Sequence, residues 1–405
     1  MIICIVGQGY VGLPIAIHAS NAGHTVYGLD TDANKIKQLK LGITSSPEVS
    51  REQLLELQSQ DKIRFVTDLE PNLPIEIFVI AVPTPLDEKH EPDLSMLKSA
   101  CDVIAINAKS NSLIINESTS FIGTLRRFIH PSIEKNTNAE NLKYAVAPER
   151  IDPGNNKWNV ENTPRVISGL SQSAIDAAAD FYGSFCKQIY KVDKPEIAEA
   201  AKLIENTFRQ VNIALVNEMS EIANKYDFAI SEAIQAASTK PFGFMPFYPS
   251  IGVGGHCIPV DPSYLSYSAK VVGIESRFID LANATNLSMP TKVVAQIESQ
   301  LEMDLEGKQI QIAGIAYKPG ISDTRESPSL KLIRVLKLKG AHVIYHDPFV
   351  DTWDELISQP LSSDIDLGLI ITAHNEIDFS IWKKSNVKVL DLSANSNNYG
   401  WPKFL

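Results

Sequence analysis

The sequence predicts an α/β protein in which two strand–helix–strand regions flank an all-helical centre. Three features predict it. The chain opens with an apolar run, a glycine-rich turn, a helical stretch and a second apolar run that ends in an acid. After Pro195 a helix-period pattern runs for some thirty residues with no glycine or proline to interrupt it. After "LEMDLEGK" the strand–helix–strand order begins again.

In chain order, "IICIVG" reads as a buried strand, "GLPIAIHASNAG" as a helix stopped by Gly23, and "HTVYGLD" as a second strand. "EIFVIAVP", "SLIINEST", "KYAVAPE" and "PRVISG" supply further strands, so residues 1–190 are expected to form an open, mostly parallel sheet. In "KPEIAEAAKLIENTFRQVNIALVNEMSEIANKYD", Ile197, Ala201, Ile204, Phe208, Val211, Leu215 and Met219 recur at spacings of three and four. That is the stripe of an amphipathic helix about 30 residues long. It carries more apolar surface than one domain needs, which points to a homodimer through this helix; residues 191–303 form the helical centre. Residues 304–405 restart the α/β pattern. "QIQIAGIAY" is a strand, "SPSLKLIRVLKLKG" a helix with Ser327 as N-cap, Pro328 at its first position and Gly340 as its stop, and "AHVIYHDP" another strand. Asp347 ends that strand as Asp30 ends the second strand of the chain.

Composition narrows the class. The chain of 405 residues is 44% hydrophobic and 21% charged, as a globular protein is, and too long for one ordinary core. A formal net charge of −11 with no Lys/Arg-rich block disfavours nucleic acid as a partner. No apolar run approaches the ~18 residues of a membrane span. "MIICIVGQGY" has no basic segment before it and reads as a strand rather than a signal peptide, so a cytoplasmic, reduced protein is expected. Cys4, Cys101, Cys186 and Cys257 are scattered without metal-ligand spacing, and no metal site is expected.

Gly7, Gly9 and Gly12 form G-x-G-x-x-G where the first strand meets the first helix. The first glycine permits the tight turn, the second lets a pyrophosphate approach the backbone, and the third lets helix and strand pack closely. The loop that also holds Tyr10 and Val11 is therefore the expected phosphate cradle. Asp30 lies near the ~20-residue spacing of a ribose-binding acid. A carboxylate there accepts from a 2′-hydroxyl and repels a 2′-phosphate, and Thr31 and Asp32 follow it rather than an arginine. NAD is favoured over NADP.

The stretch "IGVGGHCIPVDP" surrounds Cys257 with Gly254 and Gly255, which clear space beside a thiol, and with Asp261 four residues on. A free cysteine is often buried and inert; this one is placed to be reached. Lys202 and Asn206 stand i, i+4 on the long helix and share a face, where together they can hold an oxyanion. Glu149, in "APER", follows a strand end, where α/β sheets place ligands. A nicotinamide cofactor and a thiol together suggest more than alcohol oxidation. A thiol adds to an aldehyde, hydride loss gives a thioester, and water releases a carboxylate.

These residues sit in segments that resemble one family. "GQGYVGLP", "AVPTP", "EST", "APERIDPG", "EAAKLIENTFRQVNIALVNE", "GVGGHCIPVDP" and "AYKPGISDTRESPSL" are similar to the nucleotide-sugar 6-dehydrogenases of the UDP-glucose/GDP-mannose dehydrogenase family, over nearly the whole chain. "PERIDPG", "GGHCIPVDP" and "DTRESPSL" resemble the branch that oxidises UDP-N-acetylhexosamines. The resemblance implies a Rossmann NAD domain, a dimerising central helix and a Rossmann-like UDP-binding domain. It implies oxidation of a sugar C6 alcohol to a carboxylate with reduction of two NAD. Cys257 would be the nucleophile, Lys202 and Asn206 would stabilise charge on the C6 oxygen, and Asp261 would act with an ordered water that Thr119 helps hold. Glu149 would assist thioester hydrolysis or orient the sugar. Asp30, Lys35, Thr84, Thr119 and Arg325 match NAD-contacting positions, and Tyr248, Gly254 and Lys318 match positions along the UDP-sugar.

Three positions depart from the family's pattern. "SFIG", residues 120–123, replaces the usual segment after "EST"; Ser250 stands where the N-acetylhexosamine branch commonly has glycine and the glucose branch often has serine; Ser393 stands at the arginine of an Asp-x-Arg element. UDP-glucose is therefore the alternative sugar. A two-electron dehydrogenase of the 3-hydroxyacid type leaves Cys257 and the last domain unexplained. A non-catalytic UDP-sugar sensor has no reason to keep Cys257, Lys202, Asn206 and Asp261 together.

Overall fold

The computed structural model describes residues 1–44, 46, 48–88, 91–151, 157–255, 258–395, 397 and 399–405. The chain forms two compact units: residues 1–205 with 267–273, and residues 206–266 with 274–405.

The first unit is built from β1 (Ile2–Val6), α1 (Gly12–Asn21), β2 (Thr25–Leu29), α2 (Ala33–Lys40), α3 (Arg51–Ser59), β3 (Ile63–Val66), β4 (Ile77–Ile80), α4 (Ser95–Asn107), β5 (Leu113–Asn116), a π-helical stretch (Leu125–Ile129), α5 (His130–Glu134), β6 (Lys143–Val146), β7 (Arg165–Gly169), α6 (Gln172–Gly183), β8 (Ile189–Lys191) and the start of α7 (Pro195–Tyr226). Its eight strands lie in the order β3-β2-β1-β4-β5-β6-β7-β8. All pairs are parallel except β6 with β7. The strands are continuous apolar runs because helices cover both faces. One core holds Ile3, Ile5, Val79 and Ile115 against Leu13 and Ile17 of α1. The other holds Cys4, Phe78 and Ile114 against Leu97, Cys101 and Ile104 of α4. Chain order reverses between β1 and β4, so the loops after these strands diverge and open a crevice at their carboxyl ends.

The second unit takes the remainder of α7, then α8 (Ile230–Ser238), α9 (Asp261–Val271), α10 (Arg277–Leu301), β9 (Gln309–Ala313), α11 (Pro328–Leu338), β10 (His342–His346), β11 (Thr352–Trp353), β12 (Leu356–Ile357), β13 (Leu367–Ile370), α12 (Ser380–Lys384) and β14 (Lys388–Asp391). Residues 267–271 of α9 belong to the first unit. A parallel sheet runs β10-β9-β13-β14, and β11 and β12 form a short hairpin. Its core joins Ile310, Ile312 and Leu369 to Leu332 and Leu336 of α11 and to Val293 and Ile297 of α10.

The expected long helix is α7, with 32 residues. Its apolar stripe faces outward: Ile204, Phe208, Leu215 and Met219 are exposed. In the second unit its inward face pairs amides with α10. Gln210 Nε2 donates to Asn283 Oδ1 (2.6 Å), Asn217 Nδ2 to Asn286 Oδ1 (3.0 Å), and Asn286 Nδ2 to the Gln210 carbonyl (3.0 Å). These bonds satisfy the Asn217 and Asn286 amide N–H groups, while Gln210 Oε1 stays buried without one; on the outward face the Phe208 ring packs edge-on against Phe247 (5.8 Å).

Candidate active site

The β1–α1 turn explains its glycines by contact. Gly7 has φ +97°, and a Cβ on it would overlap the Ala81 carbonyl; a Cβ on Gly12 would overlap the Gly7 carbonyl. Gly9 differs: a Cβ there would meet nothing within 4 Å, so its backbone faces open space. Val11 at the N-cap of α1 supplies no side-chain cap, and although Leu13 N donates to the Gly9 carbonyl (3.1 Å) and Pro14 has no N–H, the helix end still faces that space with its positive pole, where an anion is stabilised. Asp30 closes the crevice. Its Oδ2 accepts from Gln8 N (2.8 Å) and Lys35 Nζ (2.8 Å), and its Oδ1 from Asp32 N (3.0 Å). A carboxylate has about four acceptor sites, so room remains for a ribose hydroxyl. The open side at Gly9, the uncapped helix end and Asp30 fit NAD: pyrophosphate at the turn and adenosine ribose at the acid.

The loops after β4 and β5 are tied together. Thr84 Oγ1 donates to the Thr119 carbonyl (2.5 Å), and Val82 N donates to Ser118 Oγ (2.9 Å). Beside them Asn116, Ser118, Thr119, Ser120, Thr124, Pro148, Glu199 and Lys202 line a small cleft. The Asn116 Oδ1 and Ser120 Oγ atoms are buried there without a hydrogen-bond partner. Lys202 is buried too, and Glu199 holds the "SFIG" segment by accepting from Gly123 N (2.5 Å) and Leu125 N (2.9 Å). Burial pushes the Glu199 carboxyl up to about 7, against the pull of those two backbone donors.

Glu149 lies past the end of β6, next in sequence to Pro148, which lines that cleft. Its Oε1 accepts from the backbone of Arg150 and Ile151 (2.5 Å each), and its Oε2 from Arg165 Nη2 (3.0 Å). Burial alone would raise this carboxyl. The Arg165 guanidinium, the Lys202 ammonium and the two N–H groups outweigh it and hold the group below its ordinary value. The structure thus brings Thr84, Thr119, Lys202 and Glu149 into one unit with the NAD crevice.

The second unit brings together another pair. Asn206 Nδ2 donates to Asp261 Oδ2 at 2.5 Å, and Asp261, the first residue of α9, is buried. His256 and Cys257 lie outside the described residues. The glycines before them have a packing reason. A Cβ on Gly254 would stand 2.8 Å from Tyr317 Cβ and 2.9 Å from Pro328 Cδ, and Gly255, at φ +91°, lies against the Tyr317 ring. Gly255 N donates to the Arg325 carbonyl (3.3 Å). Gly254 and Gly255 therefore rest on the β9–α11 loop that also carries Lys318. Arg325, expected at the NAD, has its guanidinium paired with Asp323 (Nη2–Oδ2 2.5 Å) in this second unit.

Gly314 repeats Gly7: φ is +82°, and a Cβ would overlap the Thr372 carbonyl. Asp347 repeats Asp30 by accepting from Ile315 N (2.8 Å) and Ala316 N (3.1 Å). Yet Asp347 is sealed, with His374 Nε2 at 3.1 Å on the same oxygen, so it has no open edge for a ribose. Tyr248 lines a second pocket with Pro249, Asp391, Ser393 and Lys403. Ser393 carries no charge where the family has arginine, but Lys403 Nζ stands 2.6 Å from its Oγ and 3.0 Å from Asp391 Oδ2. Ser250 spends its hydroxyl on the Gly252 carbonyl (2.7 Å).

Sequence reasoning missed Glu117, Arg165, Glu199 and Lys403. Arg165 and Glu117 each begin or follow an apolar strand, a place where a charge is conspicuous; the other two gave no signal.

Three family models match the chain: the NAD binding domain of the UDP-glucose/GDP-mannose dehydrogenase family at residues 1–191, its central domain at 196–288 and its UDP binding domain at 311–393. The UDP-N-acetyl-D-glucosamine 6-dehydrogenase of Pseudomonas aeruginosa is 31% identical over 388 residues, covering 92% of this chain and 90% of that protein. The UDP-N-acetyl-D-mannosamine dehydrogenase of Pyrococcus horikoshii is 34% identical over 391 residues, covering 95% and 92%. The solved structure of the UDP-D-ManNAc dehydrogenase from Pyrococcus horikoshii superposes with a TM-score of 0.89 at 32% identity, covering 100% of this chain and 97% of that one.

Proposed function

The chain belongs to the UDP-glucose/GDP-mannose dehydrogenase family, and on that premise we propose that it oxidises the C6 alcohol of a UDP-N-acetylhexosamine to the carboxylate, in four electrons and through a covalent bond to Cys257. The observation that carries the reading is the hydrogen bond from Asn206 to Asp261. It ties Asn206 of α7 to the first residue of α9, which stands four positions past Cys257 in the sequence.

NAD, when bound at the β1–α1 turn and Asp30, accepts one hydride from C6 in each of two oxidations. The chain's own groups manage the charge and the protons. In the first oxidation Asp261, with an ordered water that Thr119 helps hold, takes the C6 hydroxyl proton, and the aldehyde forms. The Cys257 thiolate then adds to the aldehyde carbon, and Lys202 with the Asn206 amide stabilises the oxyanion of the thiohemiacetal. Loss of the second hydride leaves a thioester. Water adds to it, Asp261 takes the water's proton, and the thiolate leaves with the uronate released.

The names of the relatives support an N-acetylhexosamine. Ser250, the residue that favoured glucose, is buried and committed to its own loop, which removes its weight as a sugar-reading group. Lys403 supplies the cation that Ser393 does not. The exposed apolar stripe of α7 supports a homodimer.

Cys257→Ser tests the covalent step. The variant is expected to bind NAD normally and to form no uronic acid. Acid production at the wild-type rate would refute it.

A further inference from the structure

Chain order reverses between β9 and β13 in the second sheet, as it does between β1 and β4 in the first. The loops after these strands flank the place where such sheets take their ligands. One imidazole ties them together. His374 stands four residues past β13 and is buried. Its Nδ1 accepts from Gly320 N (3.0 Å) in the loop after β9, and its Nε2 lies 3.1 Å from Oδ2 of Asp347, which directly follows β10. A backbone N–H always donates, so Nδ1 carries no proton and the ring proton is on Nε2, aimed at the carboxylate.

Asp347 carries the hold to the other end of the same loop. Its Oδ2 accepts from Ile315 N (2.8 Å) and Ala316 N (3.1 Å), and its Oδ1 from Phe349 N (2.9 Å). Thr372 Oγ1 adds a bond to the Ala316 carbonyl (2.6 Å). Burial alone would raise the Asp347 carboxyl; His374 and the backbone donors outweigh it and hold the group below its ordinary value. The stretch 315–320 is thus fixed at its start by the acid and at its end by the imidazole. Tyr317 and Lys318 stand between, and the Tyr317 ring packs against Gly255.

Both side chains of the pair are fully buried, and a buried carboxylate is unfavourable unless it is paired. Apolar residues would fill the same core at least as well. Asp30 in the first unit shows what the pair has changed. Asp30 has three donors and keeps an acceptor site open; Asp347 has four, the fourth being His374. The acid of the second sheet therefore serves the turn and not a ligand. A turn fixed beforehand loses less conformational freedom when a ligand binds. Every residue of this clamp lies within 311–393, the stretch matched by the family's UDP binding domain.

We propose that His374 is a positioning residue that, with Asp347, clamps the 315–320 turn so that Tyr317 and Lys318 are preset for the uridine diphosphate of the substrate. It acts on substrate affinity and not on hydride transfer. This rests on the functional reading above, in which Lys318 lies along the UDP-sugar.

The test is calorimetric titration of the full chain with UDP and, separately, with NAD, in wild type, His374→Gln and His374→Asn. A glutamine amide reaches Asp347 and leaves Gly320 N unpaired. An asparagine oxygen reaches Gly320 N and leaves Asp347 one donor short. His374→Gln is expected to weaken UDP binding by about tenfold or more, with NAD affinity unchanged. His374→Asn, which keeps the loop's own bond, is expected to lose less; the reverse order overturns the clamp at Gly320. Unchanged UDP affinity in both variants, or equal losses for UDP and NAD, also overturns it. In turnover, the KM for the UDP-N-acetylhexosamine is expected to rise in His374→Gln by the same factor while kcat stays within about twofold. A fall in kcat with KM unchanged contradicts the proposal. If a His374 variant does not fold, Thr372→Val replaces it: the bond to Ala316 is lost, and UDP affinity is expected to fall while NAD affinity holds. Equal losses overturn the proposal there too. The titration needs no turnover. If the wild type yields no NADH from any UDP-sugar, the functional reading falls and the UDP affinities still decide the clamp; a wild type that binds no UDP overturns both.

Discussion

Glu199 shows what a single buried acid does to this protein. Its carboxyl sits at about 7 in the folded chain because burial disfavours the charged form, against about 4.3 for a free glutamate. The folded state therefore binds an extra proton between those values. The stability this contributes is fully present below the lower value and is lost as pH rises through the upper one, in all about 4 kcal/mol. The melting temperature of the wild type is expected to fall between pH 5 and pH 8 more steeply than that of Glu199→Gln, in a thermal melt across pH. Parallel curves would contradict it. None of this was legible in the sequence, where Glu199 is one acid among many on a helix. Lys202, Asn206 and Asp261 were legible because helix periodicity and a glycine-flanked cysteine segment set them apart. The Asn206 amide was expected to face an oxyanion, and in the structure it donates to Asp261, so it orients the acid as well. Arg165 and Glu117 stood out only as charges at the ends of apolar strands; their pairing was not legible, because their partners lie 48 and 65 positions away and only the sheet brings them together.

At the scale of elements, the strands and their glycine turns could be read because burial on both faces writes continuous apolar runs and a positive φ demands glycine. Gly7→Ala forces a Cβ into the Ala81 carbonyl. It is expected to cost about 2 kcal/mol or more and to abolish NAD binding, by denaturant melts and a binding titration; retained affinity would mean the turn tolerates the shift. Gly254→Ala meets the Tyr317 and Pro328 side chains instead. It should lower kcat by tenfold or so through the cysteine segment while leaving NAD affinity intact, and loss of NAD binding would contradict that division. "PRVISG" was readable as strand β7 but its antiparallel pairing with β6 was not, and the two-residue strands β11 and β12 left no pattern to read, since pairing is set by tertiary contact and not by sequence period. Ser327 does stand at the N-cap of α11, but its hydroxyl is buried and makes no capping bond. Capping preference had placed the boundary correctly for the wrong reason.

Across the whole molecule, the sequence announced two α/β regions by restarting the same strand–helix–strand grammar, and the sheets built on β1 and β9 bear that out. It could not announce that the second acid is sealed. Asp347 has lost its open edge to His374, a residue 27 positions on, so the second fold keeps the turn and drops the dinucleotide site. The stripe of α7 was readable as apolar, and the structure turns it outward while amides face α10. Phe208→Glu combined with Leu215→Glu places charge on that face and is expected to convert a dimer to monomers in sedimentation velocity; an unchanged dimer would move the interface elsewhere. No helix among the described residues is long and apolar enough to cross a membrane. The central claim is that one site carries the sugar through two oxidations without releasing the aldehyde. The direct measurement is the number of NADH formed per UDP-N-acetylhexosamine consumed, with the sugar limiting and NAD in excess. Two NADH and a uronic acid are predicted; one NADH, with an aldehyde or ketone as the end product, would contradict the account.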